Sequence, residues 1–238
     1  MKKSELVKQI IETERKESTT VWDNKGRIYT FLNPVSYLKA RKHRDLFREF
    51  DGVFADGSLL VFAIRFFYGK RVTRKSFDTT SIASLVFSYA QKQNKTVYIV
   101  ASRQDQVEKA VAKISRHYEG IRIVGYRSGY FNSENEQNQE AAHIAKLNPD
   151  ILIVGMGIII QEEFVLKTRE KGYQGVSFTC GGYISQISDG LINYYPKLIN
   201  KTNTRFLYRM YEEPHTRKRY LKAGLVFPIL FFKERLFG

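Results

Sequence analysis

The segment Asp150-Ile-Leu-Ile-Val-Gly155 constrains this chain more than any other. Its four consecutive apolar residues leave no polar face, so as a strand it must be covered on both sides. That is the environment of a central strand in a parallel sheet between two layers of helices. Thr96 to Ala101 repeats the pattern and is followed by a helical stretch, Gln104 to Tyr118, and another short apolar run, Ile121 to Gly125. Two strands joined by a helix of that length pair in parallel through a right-handed crossover.

The rest of the chain extends the alternation. Ser4 to Lys16 has Leu6, Ile10 and Ile11 at helical spacing with charges elsewhere, an amphipathic helix. Arg27 to Leu32 reads as a strand, and Asn33-Pro34 ends it and opens a helix reaching about Phe50 with a solvated basic face. Leu59 to Tyr68 is apolar nearly throughout and reads as a buried helix stopped by Gly69. Thr79 to Gln93 and Glu134 to Leu147 are further helices, and Gly175 to Cys180 is the last strand. The expected fold is α/β: a Rossmann-like parallel sheet with helices on both faces, over residues 1–192. From about residue 193 to 238 the texture becomes basic and aromatic, a C-terminal helical appendage that associates with membrane.

The formal charge of +15 implies an anionic partner: nucleic acid, a phosphorylated small molecule or an anionic membrane surface. Ten Lys or Arg against three Glu, a net of +7, lie between Lys197 and Gly238, interleaved with Phe206, Tyr208, Tyr211 and Tyr220. That mixture suits the interface of an anionic bilayer. A nucleic-acid-binding module is the competing class, but the cations are split between loops and a lipophilic tail, and no recognised nucleic-acid motif occurs. The single cysteine, Cys180, excludes an internal disulfide and fits a reducing compartment. Residues 1–16 lack the apolar core of a signal peptide, and no run approaches the roughly 20 apolar residues of a membrane span. The expected location is the cytoplasmic face of the membrane, peripherally bound; a homo-oligomer is left open.

Chemistry is concentrated where strands end. Ala55-Asp56-Gly57 follows a short apolar run, and a basic loop then leads to Arg74-Lys-Ser-Phe-Asp78-Thr-Thr80-Ser81. Carboxylates at strand ends and basic loops above helix starts lie in the crevice where α/β proteins bind ligands. Gly155-Met-Gly157 and Gly181-Gly182 offer backbone N–H groups to phosphate, although Ile160 stands where a dinucleotide fingerprint needs its third glycine. Asp78, Thr80 and Ser81 also have the character of helix caps, with Asp78 a candidate acceptor from donor hydroxyls. The chain has no Asp-x-Asp pair, and His43, His117, His143 and His215 lack ligand spacing, so no metal and no cofactor are expected.

These pieces in this order resemble the WecG/TagA/CpsF glycosyltransferases. The resemblance rests on Phe31-Leu-Asn33-Pro34, Ala55-Asp56-Gly57, Arg74-x-Ser-Phe-Asp78-x-Thr80-Ser81, Gly129-Tyr130-Phe131, Pro149-Asp150 through Gly157, Gln161-Glu162, Gly181-Gly182 and Tyr208-Arg209-x-x-x-Glu213-Pro214. It implies a metal-independent inverting transferase that moves a sugar from a UDP-sugar donor to a polyprenyl-diphosphate-linked saccharide during surface-polymer synthesis. It assigns the catalytic base to Asp56, with Asn33, Arg74 and Gln161 in the site and Arg209, Arg217 and Arg219 brought from the tail to the diphosphate. Ile158-Ile159-Ile160 stands where the family usually has a proline before Gln-Glu, and Tyr183-Ile184-Ser185 and Tyr194-Tyr195-Pro196 also depart from the usual pattern. A non-catalytic membrane scaffold is the third class, in which Asp56 and Gln161 would be replaceable.

Overall fold

The computed structural model describes residues 4–16, 25–190, 205–212 and 214–237. Within them lies one six-stranded sheet in the order β2-β1-β6-β5-β3-β4, every neighbouring pair parallel. The strands are β1 (Ile28–Leu32), β2 (Gly52–Ala55), β3 (Thr96–Ala101), β4 (Arg122–Arg127), β5 (Ile151–Gly155) and β6 (Val176–Thr179). All five residues of β5 are buried, as its unbroken apolar run requires. Edge strand β4 instead alternates exposed and half-buried residues, and its register against β3 shifts between Val97 and Tyr98.

Side-chain alternation along the strands divides the core in two. Val97, Ile99, Ile151, Ile153 and Phe178 point into a cluster closed by α5 (Ile82–Lys92), α6 (Gln104–His117) and α9 (Tyr183–Asp189). Tyr98, Val100, Leu152 and Val154 point the other way, into a cluster built from α1 (Glu5–Lys16), α2 (Pro34–Ala40), α3 (Arg44–Arg48), α4 (Ser58–Tyr68), α7 (Glu134–Leu147) and α8 (Ile160–Glu170). Helices therefore cover both faces, as expected.

Two local readings are corrected. The helix expected from Pro34 to about Phe50 is two short ones, α2 and α3, separated by a turn at Arg41 to His43. Ser36 closes the start of α2 with Asn33 in a reciprocal cap, while no side chain caps α3. The helix α4 is not buried throughout: Leu60, Ala63, Ile64 and Tyr68 are inside, but Leu59, Phe62 and Phe66 face outward. Apolar residues at nearly every position, Arg65 apart, hide which side is covered, because the amphipathic contrast is weak.

The tail provides α10 (Arg205–Glu212), a 3-10 turn at Pro214–Thr216 and α11 (Arg217–Phe237). The expected boundary at residue 192 lies outside the described residues, as does Tyr194-Tyr195-Pro196. Ala223, Phe227, Phe231 and Glu234 form the buried stripe of α11, and both phenylalanines join the core that contains α2 and α4. Full burial of a Phe side chain contributes roughly 1.5–3 kcal/mol. Tyr37 meets Phe227 edge-on at 5.6 Å and donates its hydroxyl to Glu234 Oε2 at 2.7 Å. Arg41 Nε (2.6 Å) and Arg44 Nη2 (3.1 Å) also donate to Glu234, so the last helix is fastened by packing and by charge. Among the described residues no helix is long and apolar enough to cross a membrane.

Candidate active site

The strand ends open into one cleft of about 1760 Å³. Leu32 and Ala55 are register partners, so the next residues, Asn33 and Asp56, leave adjacent strands side by side. The Asp56 N–H donates to the Leu32 carbonyl at 2.8 Å, tying the two exits together. Gly57 then turns the chain into α4 with φ +93°, a conformation that side chains with a Cβ rarely adopt. Asn33 is both a cap and a lining residue: its Oδ1 accepts from the Val35 and Ser36 N–H groups, each at 3.0 Å. Its amide NH2 is left as the group that can serve a ligand, so Asn33 can meet a substrate only as a donor.

The basic loop folds back over β2 because the Lys75 N–H donates to the Ala55 carbonyl at 3.0 Å. This brings Arg74 to the cleft wall, where its Nη2 donates to Ser76 Oγ at 2.6 Å and lies 3.3 Å from Asp78 Oδ2. Asp78 accepts from Ser76 Oγ on one oxygen and from the Thr80 N–H and hydroxyl on the other. Both Asp78 oxygens thus organise the loop and orient Arg74, whereas the helix-cap reading is corrected: the N-cap of α5 is Ser81, which makes no side-chain cap hydrogen bond.

Opposite lie the glycine turns. A Cβ on Gly155 would sit 2.6 Å from Cys180 Sγ and 2.7 Å from the Gly181 carbonyl, so only glycine lets the end of β5 approach the turn after β6 this closely. Gly157 and Gly181 have no neighbouring atom within 4 Å of where a Cβ would be, and with Gly182 they line the cleft. Gln161 is 4% exposed rather than a surface helix start. Its Oε1 accepts from the Gly181 N–H at 3.2 Å and its Nε2 donates to Glu162 Oε1 at 2.8 Å.

The tail closes the mouth of the cleft. Arg219, Tyr220, Leu221 and Leu225 of α11 line it, together with Leu207 and Tyr208 of α10. Arg219 thus lines the cleft, whereas Arg217 is not among the lining residues and its Nε donates to the Met210 carbonyl at 2.7 Å. The side chain of Arg209 lies outside the described residues. Beside the mouth, Leu59 and Phe62 of α4 continue into Phe66, and α11 exposes Leu225, Ile229, Phe232 and Leu236. Phe67 packs on Phe232 at 5.6 Å, which joins the two helices into one apolar rim. Exposed cations, Arg65, Arg71, Lys218, Lys222 and Lys233, lie along the same two helices and the turn after α4.

Sequence reasoning missed several lining groups. Ser102 follows β3 with φ +54°, and its hydroxyl meets that of Ser185 at 2.8 Å. Positive φ at a serine has no signature in the sequence. Tyr130, 71% exposed and lining the cleft, entered only as part of the Gly129-Tyr130-Phe131 piece of the resemblance, with no role assigned. Glu162, read only as the companion of Gln161, does not line the cleft but lies completely buried.

Comparison with known proteins agrees with this geometry. The sequence profile of the WecG/TagA/CpsF glycosyl transferase family matches residues 4–238. A Shigella boydii protein, UDP-Gal:alpha-D-GlcNAc-diphosphoundecaprenol beta-1,4-galactosyltransferase, is 34% identical over 209 residues, 88% of this chain and 87% of its own. N-acetylglucosaminyldiphosphoundecaprenol N-acetyl-beta-D-mannosaminyltransferase from Bacillus subtilis (strain 168) is 28% identical over 82% of this chain and 75% of its own. The protein of the same name from Bacillus spizizenii is 26% identical over 86% and 79%. With a parallel α/β sheet, an Asp-Gly turn at its carboxyl edge and a profile match over nearly its whole length, the chain belongs to the WecG/TagA/CpsF family of glycosyltransferases.

Proposed function

We propose that the chain transfers a hexose from a UDP-sugar to an N-acetylglucosaminyl-diphospho-polyprenol acceptor, with inversion at the anomeric carbon and without a metal. The observation that carries this reading is the pairing of Asp56 with Asn33 on adjacent strand ends, in a cleft whose opposite wall is the glycine turns. All three relatives carry the same acceptor unit in their names, and the one at 34% identity uses UDP-Gal, which makes UDP-Gal the first donor to test.

In this mechanism Asp56 accepts the proton of the acceptor hydroxyl as that oxygen bonds to the donor anomeric carbon. The bond from that carbon to the diphosphate oxygen breaks on the opposite side, and UDP carries away the electron pair. Charge on the diphosphate is met by Arg74, Arg219 and the N-terminal turn of α8 beyond Gly157, where backbone N–H groups and the helix dipole favour an anion. Asn33 and Gln161 act as donors to sugar or phosphate oxygens.

The apolar rim gives the acceptor its place. Its lipid stays in the cytoplasmic leaflet while α4 and α11 rest on the bilayer, each nearby Lys or Arg adding about 1 kcal/mol on an anionic surface. The test is a panel of UDP-sugars with a short-chain GlcNAc-diphospho-lipid, run in EDTA with UDP release as the readout. Release that requires both a particular donor and the acceptor is expected; no release with any pair, or release only on adding a divalent cation, overturns the reading or its metal-free form.

A further inference from the structure

A seam of buried polar side chains crosses the sheet between β1 and β6. Thr30 of β1 and Thr179 of β6 are buried, and the Thr179 hydroxyl donates to that of Thr30 at 2.8 Å. Thr30 in turn donates to Glu162 Oε1 at 2.8 Å, the oxygen that also receives Gln161 Nε2. The second carboxyl oxygen accepts the Ile159 N–H at 2.6 Å. Three donors converge on Glu162, and all three are neutral. A buried carboxylate with only neutral partners is costly, and an apolar side chain of similar size would fill the space at less cost. Capping the first turn of α8 accounts for the bond from Ile159 to Oε2, but not for a second carboxyl oxygen turned inward to Thr30 and Gln161.

What the carboxylate does do is decide which way the Gln161 amide points. The Gly181 N–H can only donate and an ionised Glu162 can only accept. Gln161 must then present Oε1 to Gly181 and Nε2 to Glu162; the reverse orientation would oppose two donors and two acceptors. The second Nε2 hydrogen is the amide's remaining donor, on a residue that lines the cleft between the Gly157 and Gly181 turns. Glu162 also holds the backbone of Ile159 at φ +82°, ψ −57°, a sparsely populated region for a β-branched residue. One buried group thus fixes the loop after β5, and through Gln161 the turn after β6.

We propose that Glu162 is a positioning residue that locks the donor-binding wall, holding Gln161 with an N–H toward the ligand and coupling the Gly155 to Ile159 loop to the Gly181 turn. This rests on the glycosyl-transfer reading for its kinetic consequence and on geometry for its structural one.

The experiment is a cycle of Glu162→Gln, Gln161→Ala and the double variant, with kcat and KM measured separately and amide hydrogen exchange recorded on the free protein. A glutamine at 162 keeps the shape but must turn its own NH2 against Ile159 N–H or against Thr30 and Gln161. Glu162→Gln is expected to stay folded, lose on the order of 10²-fold in kcat, and add nothing to the loss of Gln161→Ala. The Gly181 and Ile159 amides should exchange faster in it. Wild-type kcat, losses that multiply in the double variant, or unchanged exchange at both amides would overturn the proposal. Should Glu162→Gln fail to fold, Thr30→Val removes one donor and enters the same cycle with the same expected non-additivity. If the wild-type protein transfers no sugar, the functional reading fails, and the exchange at Gly181 and Ile159 still decides whether Glu162 holds the wall.

Discussion

On the cleft floor Asn33, Asp78 and Gln161 are each held by two or more hydrogen bonds from the chain itself. On the rim Phe62, Phe66 and Leu225 stand 62%, 70% and 74% exposed. The contrast separates two kinds of work. Polar groups fixed in advance lose nothing to reorganisation when charge moves, which is what a reacting centre needs. A contiguous apolar surface flanked by cations has no reason to persist in water and marks a place where something apolar is met.

The largest expected effect breaks the floor alone. Asp56→Asn should cost about 10² to 10⁴ in turnover, the usual worth of a general base, while UDP binding measured by calorimetry survives. Equal loss of binding and turnover would make Asp56 a structural turn residue. Next comes the fastening that joins rim to floor. Glu234→Ala leaves Tyr37, Arg41 and Arg44 without their shared carboxylate, and should lower stability by about 3 kcal/mol in urea unfolding. A change under about 0.5 kcal/mol, the size of an ordinary surface substitution, would mean that packing of Phe227 and Phe231 holds α11 unaided.

Asn33→Asp sharpens the comparison at smaller scale. The aspartate still caps α2 through its oxygen but has no NH2, so stability should hold while kcat/KM falls about tenfold, the worth of one hydrogen bond. Unaltered kcat/KM would leave Asn33 as a cap only.

The smallest effect is a pH dependence of stability. Burial pushes the Glu162 carboxyl above its ordinary value of 4.5, against the hydrogen bonds from Gln161, Thr30 and Ile159. A raised folded-state pKa contributes stability below the unfolded value and loses it as pH rises through the folded one. Wild type should therefore lose ground against Glu162→Gln as pH climbs above 4.5. At Asp150 burial acts in the same direction, but the Thr96 N–H and hydroxyl and Lys95 outweigh it and hold the carboxyl below 3.8. Its contribution is present above that value and disappears as pH falls through the lowered pKa. Stability curves of Glu162→Gln and Asp150→Asn against pH should therefore diverge from wild type in opposite senses.

The same division explains what could be read from the sequence. Continuous apolar runs such as Ile151 to Val154 announce buried parallel strands, and strand ends announce Asp56, Asn33 and the glycine turns, because these signals are local. The outward face of α4 was not legible, since a helix apolar on nearly every side looks the same whether its partner is the core or a membrane. Glu162 was hidden for a different reason: its partner Thr30 is 132 residues away, and only the sheet brings the two together. Arg217 looked equivalent to Arg219, yet only Arg219 reaches the cleft, a difference set by the turn between α10 and α11.

The central claim, that the floor performs transfer and the rim finds the lipid, is tested by measuring transfer to a soluble short-chain acceptor and to the same GlcNAc-diphospho head on a polyprenol in anionic vesicles. Phe66→Asp with Ile229→Asp removes apolar surface at two exposed rim positions that do not line the cleft. Wild-type turnover is expected on the soluble acceptor and a loss of roughly 10²- to 10⁴-fold on vesicles, from about 1.5–3 kcal/mol for each of the two side chains that no longer enter the bilayer; Asp56→Asn should lose both activities alike. Equal loss of the two activities in the rim variant, or full vesicle activity, would contradict the claim.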